Sequence, residues 1–557
     1  MHLKGTLGKS IQKTVKELYL IELDPRLEHP RQDSFGDYAT SVALEIARQT
    51  GSDPMEVGIQ LKIKLETALR EFVREIEVVK PGFINFWLNE DALVKEVGEV
   101  NRAKDRYGSA AAGEGKTVVI DYSAPNIAKR FGVGHLRSTV IGQALYNLDK
   151  FLGYRVIGDN HLGDWGTQFG IVLRQISNKQ LAINKLTIDK LEELYVEFHQ
   201  EAEKDPKLMV AAREWFLKLE SGGKEAREIW QAVVDTSMKE FDRIYALLGV
   251  KFDHAYGESF YEKKMPAVIA EIRKKGLSKK SEGAEIVEFE KLPPAILVKS
   301  DGGTTYFTRD LATIKFRLQE WNPQFITYEV GSDQKLHFQQ VFEAAKKLGW
   351  GESCYFFHVP HGLIRFAAGK LSTRRGQTVK LEDVLNEAVA RAKKLTGGNE
   401  VVARSVGIGA VKYFDLSHQP QTDIIFDWEK MFLLEGNSAP YLQYTYARAL
   451  SVLRKAKIGR SLAIGPEPLA GEAELPLLRW LYRFPEVVEE AAKNYSPNLI
   501  CNYIFELAQR FNSFYASAPI IKADDDIQEL RLALTSATAQ LLKNGLTILG
   551  IETPERL

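Results

Sequence analysis

The chain has 557 residues, 45% hydrophobic and 27% charged, the balance of a folded protein of several domains rather than a disordered one. Lys and Arg number 74, as do Asp and Glu, so bulk charge points to no nucleic-acid partner and any such partner must be held by local patches. Two cysteines, Cys354 and Cys501, exclude a disulfide framework and a four-cysteine zinc site and suit a reducing compartment.

From the start, residues 9–20 have helical spacing through Ile11, Val15, Leu18 and Leu20. Helical patterns return near 40–50 and 58–77, and HPRQDSFGDYAT between the first two is a loop. EIEVVKPGFINFWLN reads as two short strands around Pro81-Gly82, and the Gly/Ala-rich NRAKDRYGSAAAGEGKT as a linker. The opening segment lacks the apolar core of a signal peptide, and no run of about 18 apolar residues follows, so the expected location is cytoplasmic, with no membrane partner. A small α+β domain is expected over 1–106.

From 117 the texture changes. TVVIDYS is a buried-strand run, HLRSTVIGQALYNLDKFLG a helix and YRVIGDN a second strand, the start of a doubly wound α/β sheet. A charged, mostly helical insertion is expected at about 174–300. Strand FITYEV, helix KLHFQQVFEAAKKLG and strand CYFFHVPHGLI resume the α/β pattern, giving a domain over 107–425. Over 426–557 helix follows helix, with LLRWLYRFPEVVEEAAK, NLICNYIFELAQRFNSFY and LRLALTSATAQLLKNGLTILG each read as one.

Three segments carry site-like chemistry. DYSAPNIAKRFGVGHLRST lies where the first sheet strand ends and a helix begins, a place that suits phosphate. Gly132 and Gly134 would let a phosphate approach the backbone, His135 could donate a hydrogen bond, and Lys129 adds charge. Taken alone it is equally a loop with structural glycines. It is not a P-loop, and Arg137 stands where a dinucleotide fingerprint needs its third glycine. In HGLIRFAAGKLSTRRGQTVKLEDVL, Lys370, Ser372, Arg374 and Arg375 crowd a loop that could clamp polyphosphate or simply be a solvated turn. Tyr306 and Asp310 stand four apart on a helix, Gln334 at another strand-to-helix turn, and Asp121 at the end of the first strand. Those carboxylates suggest either a cationic ligand or internal ion pairs. His358 and His361, three apart on a strand, face opposite sides, so no metal site is expected.

Together these segments resemble the arginyl-tRNA synthetases, a class I aminoacyl-tRNA synthetase family. PNIAKRFGVGHLRST is similar to the family's HIGH region and KLSTRRG stands in the KMSKS place. NHLGDWGTQFG, YFTRDLA, GSDQKLHF, LLEGNSAPYLQYTYARALSVLRK and the ending LGIETPERL fall in the family's order, as do FGDYAT and PGFINFWL. DWGTQFG and the Tyr306/Asp310 pair mark the resemblance as arginine-specific. It implies a Rossmann-type class I catalytic domain, an N-terminal domain on the tRNA elbow, an all-α anticodon-binding domain, and usually a monomer. It implies ligation of arginine to tRNA through an arginyl-adenylate, with ATP and its Mg2+ consumed and bound tRNA usually needed even for the first step.

Carried over by position, the resemblance implies that Pro125, Gly132, Gly134, His135, Lys370, Ser372 and Arg374 bind ATP. It assigns Asp121, Asn126, Glu258, Tyr306, Asp310 and Gln334 to arginine. The first His of the HIGH pattern is Gly132 here, and the second Lys of KMSKS is Thr373. In the family a lysine just upstream of HIGH compensates for that loss, so Lys129 joins His135 and Lys370 as an expected catalytic residue.

Residues 426–557 hold 14 Lys and Arg against 16 Asp and Glu, so a basic domain is absent. Arg448, Arg454, Lys455, Lys457 and Arg460 nevertheless cluster, and Tyr441, Tyr444, Tyr446, Asn512 and Tyr515 could stack on or bond to bases. Arg448, Arg454, Lys457 and Tyr515 are the expected tRNA contacts.

Overall fold

The computed structural model describes residues 3–366, 379–456 and 471–557. At the N-terminus, α1 (Leu3–Tyr19) buries Leu7, Ile11 and Val15 on one face. β1 (Leu27–Glu28), β2 (Tyr38–Thr40), α2 (Val42–Thr50), α3 (Pro54–Leu69), β3 (Val73–Val79) and β4 (Phe83–Leu88) follow. The strands form an antiparallel sheet of order β1-β2-β4-β3. The helix expected over 58–77 starts earlier and stops at Leu69, because Asp53 caps it by accepting from the Met55 and Glu56 N–H groups. The rest is strand, since β-branched residues in VREIEVV fit a pleated surface. α4 (Glu90–Ala103) takes the beginning of the expected linker.

The next part contains β5 (Thr117–Asp121), α5 (Leu136–Phe151) and β6 (Arg155–Asp159). The insertion supplies α6 (Thr167–Asn178), α7 (Ile188–Ala202), α8 (Lys207–Glu220), α9 (Lys224–Leu248) and α10 (Met265–Lys274). It also carries an antiparallel sheet of β7 (Ser278–Ser281), β8 (Ala284–Val287) and β9 (Ala295–Val298), strands that the mostly helical pattern did not single out. Then come α11 (Tyr306–Trp321), β10 (Phe325–Gly331), α12 (Lys335–Lys347), β11 (Tyr355–His361) and β12 (Ile364–Phe366). They are followed by α13 (Leu381–Leu395), α14 (Glu400–Leu416), β13 (Ile424–Phe426) and α15 (Trp428–Met431).

The central sheet has the order β11-β10-β5-β6, every pair parallel. From β5 the chain first lays β6 on one side and later returns on the other as β10 and β11. The carboxyl ends of β5 and β10 therefore flank the crevice where open α/β sheets bind ligands. All five residues of β5 are buried, as a strand covered on both faces requires. α5 lies directly on it: a Cβ on Gly142 would come within 2.2 Å of Tyr122 Cβ.

The C-terminal helices are α16 (Ala439–Lys455), α17 (Leu475–Leu481), α18 (Phe484–Lys493), α19 (Asn498–Ser517) and α20 (Asp525–Ile548). LLRWLYRFPEVVEEAAK is two helices, because Pro485 sits in the first turn of α18, where its missing N–H costs nothing. The N-terminal sheet docks on α18: Tyr38 OH donates to Glu486 at 2.5 Å, and His29 Nε2 lies 3.1 Å from the same carboxylate. Cys354 and Cys501 are free and buried. His358 Nε2 lies 3.1 Å from the Val330 carbonyl and His361 Nδ1 2.9 Å from Glu329, so each imidazole is held separately. Among the described residues, no helix is long and apolar enough to cross a membrane and no cluster of three metal-ligating side chains occurs.

Candidate active site

The loop from β5 into α5 is bent by three non-glycine residues at positive φ, Ser123 (72°), Ala124 (43°) and Ala128 (65°). Such backbone costs on the order of 1–3 kcal/mol per residue and persists only where the surroundings impose it. Here they do. The Ser123 N–H donates to Ser138 Oγ at 2.9 Å, and Ser123 Oγ lies 2.9 Å from Tyr245 OH. The Ala124 N–H donates to Asn160 Oδ1 at 3.1 Å, and that of Ala128 to Ser237 Oγ at 3.0 Å. Pro125 and Ile127 exchange backbone hydrogen bonds with Gly163, where a Cβ would stand 2.2 Å from Asn126 Oδ1. The loop is thus clamped by α5, α9 and the 160–164 segment. Ser237 and Tyr245 were not foreseen, because nothing in a charged 25-residue helix marks the two hydroxyls that turn toward a distant loop.

At the end of this loop the Gly132 N–H donates to His135 Nδ1 at 3.2 Å. Burial pushes the His135 imidazole below its usual value, and the Lys129 charge adds to that while the Gly132 hydrogen bond opposes it. A neutral ring that accepts at Nδ1 carries its proton on Nε2, which leaves a donor for a ligand. Gly134 is exposed, with open space where its Cβ would stand. Pro125 is buried and Asn126 exposed beside it. Lys129 is half-buried, its ammonium 5.3 Å from the centre of the Tyr195 ring on α7.

Across the crevice Asp310, on α11, lies 2.5 Å from His337 Nε2 on α12 and 3.9 Å from His161 Nε2. Burial raises the pKa of this carboxyl. The His337 hydrogen bond and the charges of His337, His161 and Arg309 outweigh that and hold it below the ordinary aspartate value. Tyr306 opens α11 and is 63% exposed, with the Arg309 guanidinium 5.3 Å from its ring. It stands on the wall of a cavity of about 890 Å³ that also includes Trp165, Phe216, Lys299 and Arg309. Gln334 is exposed just beyond β10.

Two of the residues expected on the arginine side already have arginine partners within the chain. Asp121 is enclosed and already paired: Arg317, itself fully buried, donates to it at 2.6 Å and to Asp159 at 2.7 Å. Burial raises the Asp121 carboxyl and Arg317 pulls it back. Glu258 is likewise paired, with Arg309 at 3.1 Å, and burial pushes it up to about 7 against the pull of that guanidinium. Both carboxyls also feel the Asp310 charge, which raises them further. The two arginines that claim them lie far away in sequence and gave no signal of the pairing.

Lys370, Ser372, Arg374 and Arg375 lie outside the described residues, as do Lys457 and Arg460. In the C-terminal helices Arg448 donates to Asn512 Oδ1 at 2.7 Å, and its guanidinium lies 4.8 Å from the Tyr444 ring and 5.4 Å from the Tyr515 ring. Those two tyrosines are 46% and 43% exposed and share a cavity of about 630 Å³ with Arg454, Lys455, Lys522 and Arg556. Tyr446 is buried, and Tyr441 OH accepts from Asn512 Nδ2 at 3.0 Å.

Known proteins match along the whole length. The family described as "tRNA synthetases class I (R), catalytic domain" matches residues 96–428, "Arginyl tRNA synthetase N terminal domain" residues 3–88, and "DALR anticodon binding domain" residues 442–557. The chain is 44% identical to the arginine–tRNA ligase of Chloroflexus aurantiacus, with 93% of each chain covered. It is 40% identical to that of Alkaliphilus metalliredigens, with 96% of each covered. Among solved structures, arginyl-tRNA synthetase from Thermus thermophilus shares its fold, with a TM-score of 0.85 at 24% identity and 100% coverage of both chains. That of Plasmodium falciparum gives 0.84 at 25%, with 99% of both covered.

Proposed function

This chain belongs to the arginyl-tRNA synthetases of class I, and from that membership we propose how its own residues divide the work. The reaction attaches L-arginine to the 3′ end of a tRNA, with ATP consumed, for translation. In the first step an arginine carboxylate oxygen attacks the α-phosphorus, the bond to the β-phosphate oxygen breaks, and pyrophosphate leaves. In the second a hydroxyl of the terminal ribose attacks the carbonyl carbon of arginyl-adenylate, and AMP leaves. Mg2+ arrives with ATP as part of that substrate. Neither step forms a bond to the protein, so its contribution is positioning and charge stabilisation.

Pro125, Gly132, Gly134 and His135 take the ATP, with His135 Nε2–H donating to a phosphoryl oxygen. Lys129 supplies positive charge as the α-phosphorus is attacked. Lys370, Ser372 and Arg374 complete the nucleotide site on the strength of sequence position. Asp310 takes the guanidinium at the Tyr306 edge, and the exposed Asn126 and Gln334 take the amino and carboxylate end. Asp121 and Glu258, each an electrostatic neighbour of Asp310, stand on the same arginine side, Asp121 paired with Arg317 and Glu258 with Arg309. Residues 1–106 meet the tRNA elbow, 107–425 do the chemistry, and 426–557 read the anticodon through Arg448, Arg454, Lys457 and Tyr515. The chain works as a monomer in the cytoplasm.

The observation that carries this reading is the Asp310 carboxylate, kept ionised across the crevice from a loop that presents a neutral imidazole donor. A planar cation beside an adenylate-forming cradle is what that pair suits. Arginine-dependent ATP–pyrophosphate exchange, with and without arginine tRNA, tests it. Exchange with arginine alone among the twenty amino acids is expected, and exchange with another would overturn the assignment of Asp310.

A further inference from the structure

α14 runs between the catalytic layer and the C-terminal helices and carries an enclosed cation, Lys412, 1% exposed. Its ammonium donates to the Leu248 carbonyl at 2.7 Å and also to the Gly550 carbonyl. Leu248 is the last residue of α9 and Gly550 lies two beyond the end of α20. Carbonyls at a helix C-terminus lack intrahelical partners and carry the negative end of the helix dipole, so one ammonium answers the end of α9 and also holds the turn that follows α20. Gly550 has φ +68°, and a Cβ there would stand 3.0 Å from Lys412 Nζ, so the residue both turns the chain and leaves room for the cation. Burial lowers the Lys412 ammonium to about 8, which leaves it charged at neutral pH.

The two helices joined here contact different parts of the chain. α9 holds the active-site loop through Ser237 and Tyr245, and Tyr245 OH also accepts from Asn160 Nδ2 at 3.0 Å. α20 packs along α16, the helix that carries Tyr444 and Arg448. One turn from Lys412, the enclosed Asp415 lies 3.3 Å from Arg137 of α5, the helix that the same loop enters. We propose that Lys412 is a positioning residue that transmits occupancy of the C-terminal helical domain, through α9, to the 123–128 loop where ATP and arginine meet. The proposal rests on the reading that this domain holds RNA.

Amide hydrogen exchange of the full chain, with and without an anticodon stem-loop of arginine tRNA, tests it. The expected result is protection at 444–455 and 512–522 together with altered exchange at 237–250 and 123–128. Protection of the helical surface with the loop unchanged overturns the coupling alone. No protection anywhere overturns the RNA reading and the proposal with it. In Lys412→Met, the unbranched stem is kept, one atom short of the ammonium, and both carbonyls lose this donor. There the loop response is expected to vanish and kcat for charging to fall at least tenfold, with KM for tRNA within twofold. A loop response that survives in this variant overturns the proposal. Tyr245→Phe cuts the other end of the connection. The double variant should lose no more than twofold beyond the worse single one, and multiplied losses also overturn it. Should Lys412→Met fail to fold, Tyr245→Phe decides: a loop response that survives it overturns the proposal.

Discussion

Asp310 Oδ2 and His337 Nε2 stand 2.5 Å apart, a contact that ties α11 to α12 across one wall of the crevice. It fixes the direction of the carboxylate proposed to meet the guanidinium, and it helps keep that carboxyl below its usual pKa. Removing one partner of an enclosed carboxylate–guanidinium pair costs about 3–5 kcal/mol. Asp310→Ala should therefore raise KM for arginine at least a hundredfold and KM for ATP less than threefold, as read by pyrophosphate exchange. Equal changes in both would contradict the role. Because the folded-state pKa lies below 3.8, Asp310 stays ionised as pH falls from 8 to 5, and it should cause no loss of arginine affinity over that range.

His135 offers a second test. Its Nδ1 is occupied by the Gly132 N–H and burial keeps the ring neutral, so Nε2–H is the group left to act. Loss of one preorganised donor to developing charge typically slows a reaction about 10²–10³-fold. His135→Ala should lower the rate of adenylate formation by that factor in single-turnover experiments, with arginine affinity little changed.

Lys129 has a competing attachment, the Tyr195 ring 5.3 Å from its ammonium. If its charge acts on the reacting phosphate, Lys129→Ala slows adenylate formation more than about tenfold, or ~1.4 kcal/mol. If it only ties the loop to α7, Tyr195→Leu and Lys129→Ala lower the melting temperature together and leave the rate within threefold.

Much of this site was legible in the sequence because it lies in contiguous segments at strand-to-helix turns. The glycine loop, His135 and Gln334 each stand where a strand ends and a helix begins, and Asp310 one turn after Tyr306 on a helix. What was illegible is pairing across long separations. Asp121 and Arg317 are 196 residues apart, and only the sheet order brings their elements together. A carboxylate at a sheet edge reads alike whether it awaits a ligand or already has an arginine. The same limit hid His337 and Tyr245, and it explains the helix over 58–77, where helical spacing was extended into a segment that pairs with β4 instead.

Asp149, near the end of α5, has a carboxyl that burial pushes up to about 7. The folded state holds this proton more tightly than the unfolded chain. Its stabilising contribution is therefore complete below the ordinary carboxyl value and is lost as pH rises through about 7. Asp149→Asn removes the penalty of ionisation. Denaturant unfolding should find it up to about 4 kcal/mol more stable than the parent at pH 8.5, a gain that shrinks toward pH 4. A gain independent of pH would mean that packing, not charge, was changed.

Arg448 lies against Tyr444 and Tyr515 with rings partly open to solvent, and Arg454, Lys455, Lys522 and Arg556 share the cavity. The domain as a whole is not basic, and among its described residues this cavity gathers cations and open aromatic rings together. Aromatic stacking on an unpaired base is worth about 1–3 kcal/mol, whereas a phosphate contact shows as salt dependence. Tyr515→Ala should therefore raise KM for tRNA roughly five- to a hundredfold at any salt concentration. Lys455→Ala should weaken binding less and flatten the dependence of log Kd on log salt by about one contact. Both should leave KM for arginine and ATP unchanged in charging assays. If Tyr515→Ala leaves KM for tRNA where it was, the base-stacking role moves to another face of the C-terminal helices.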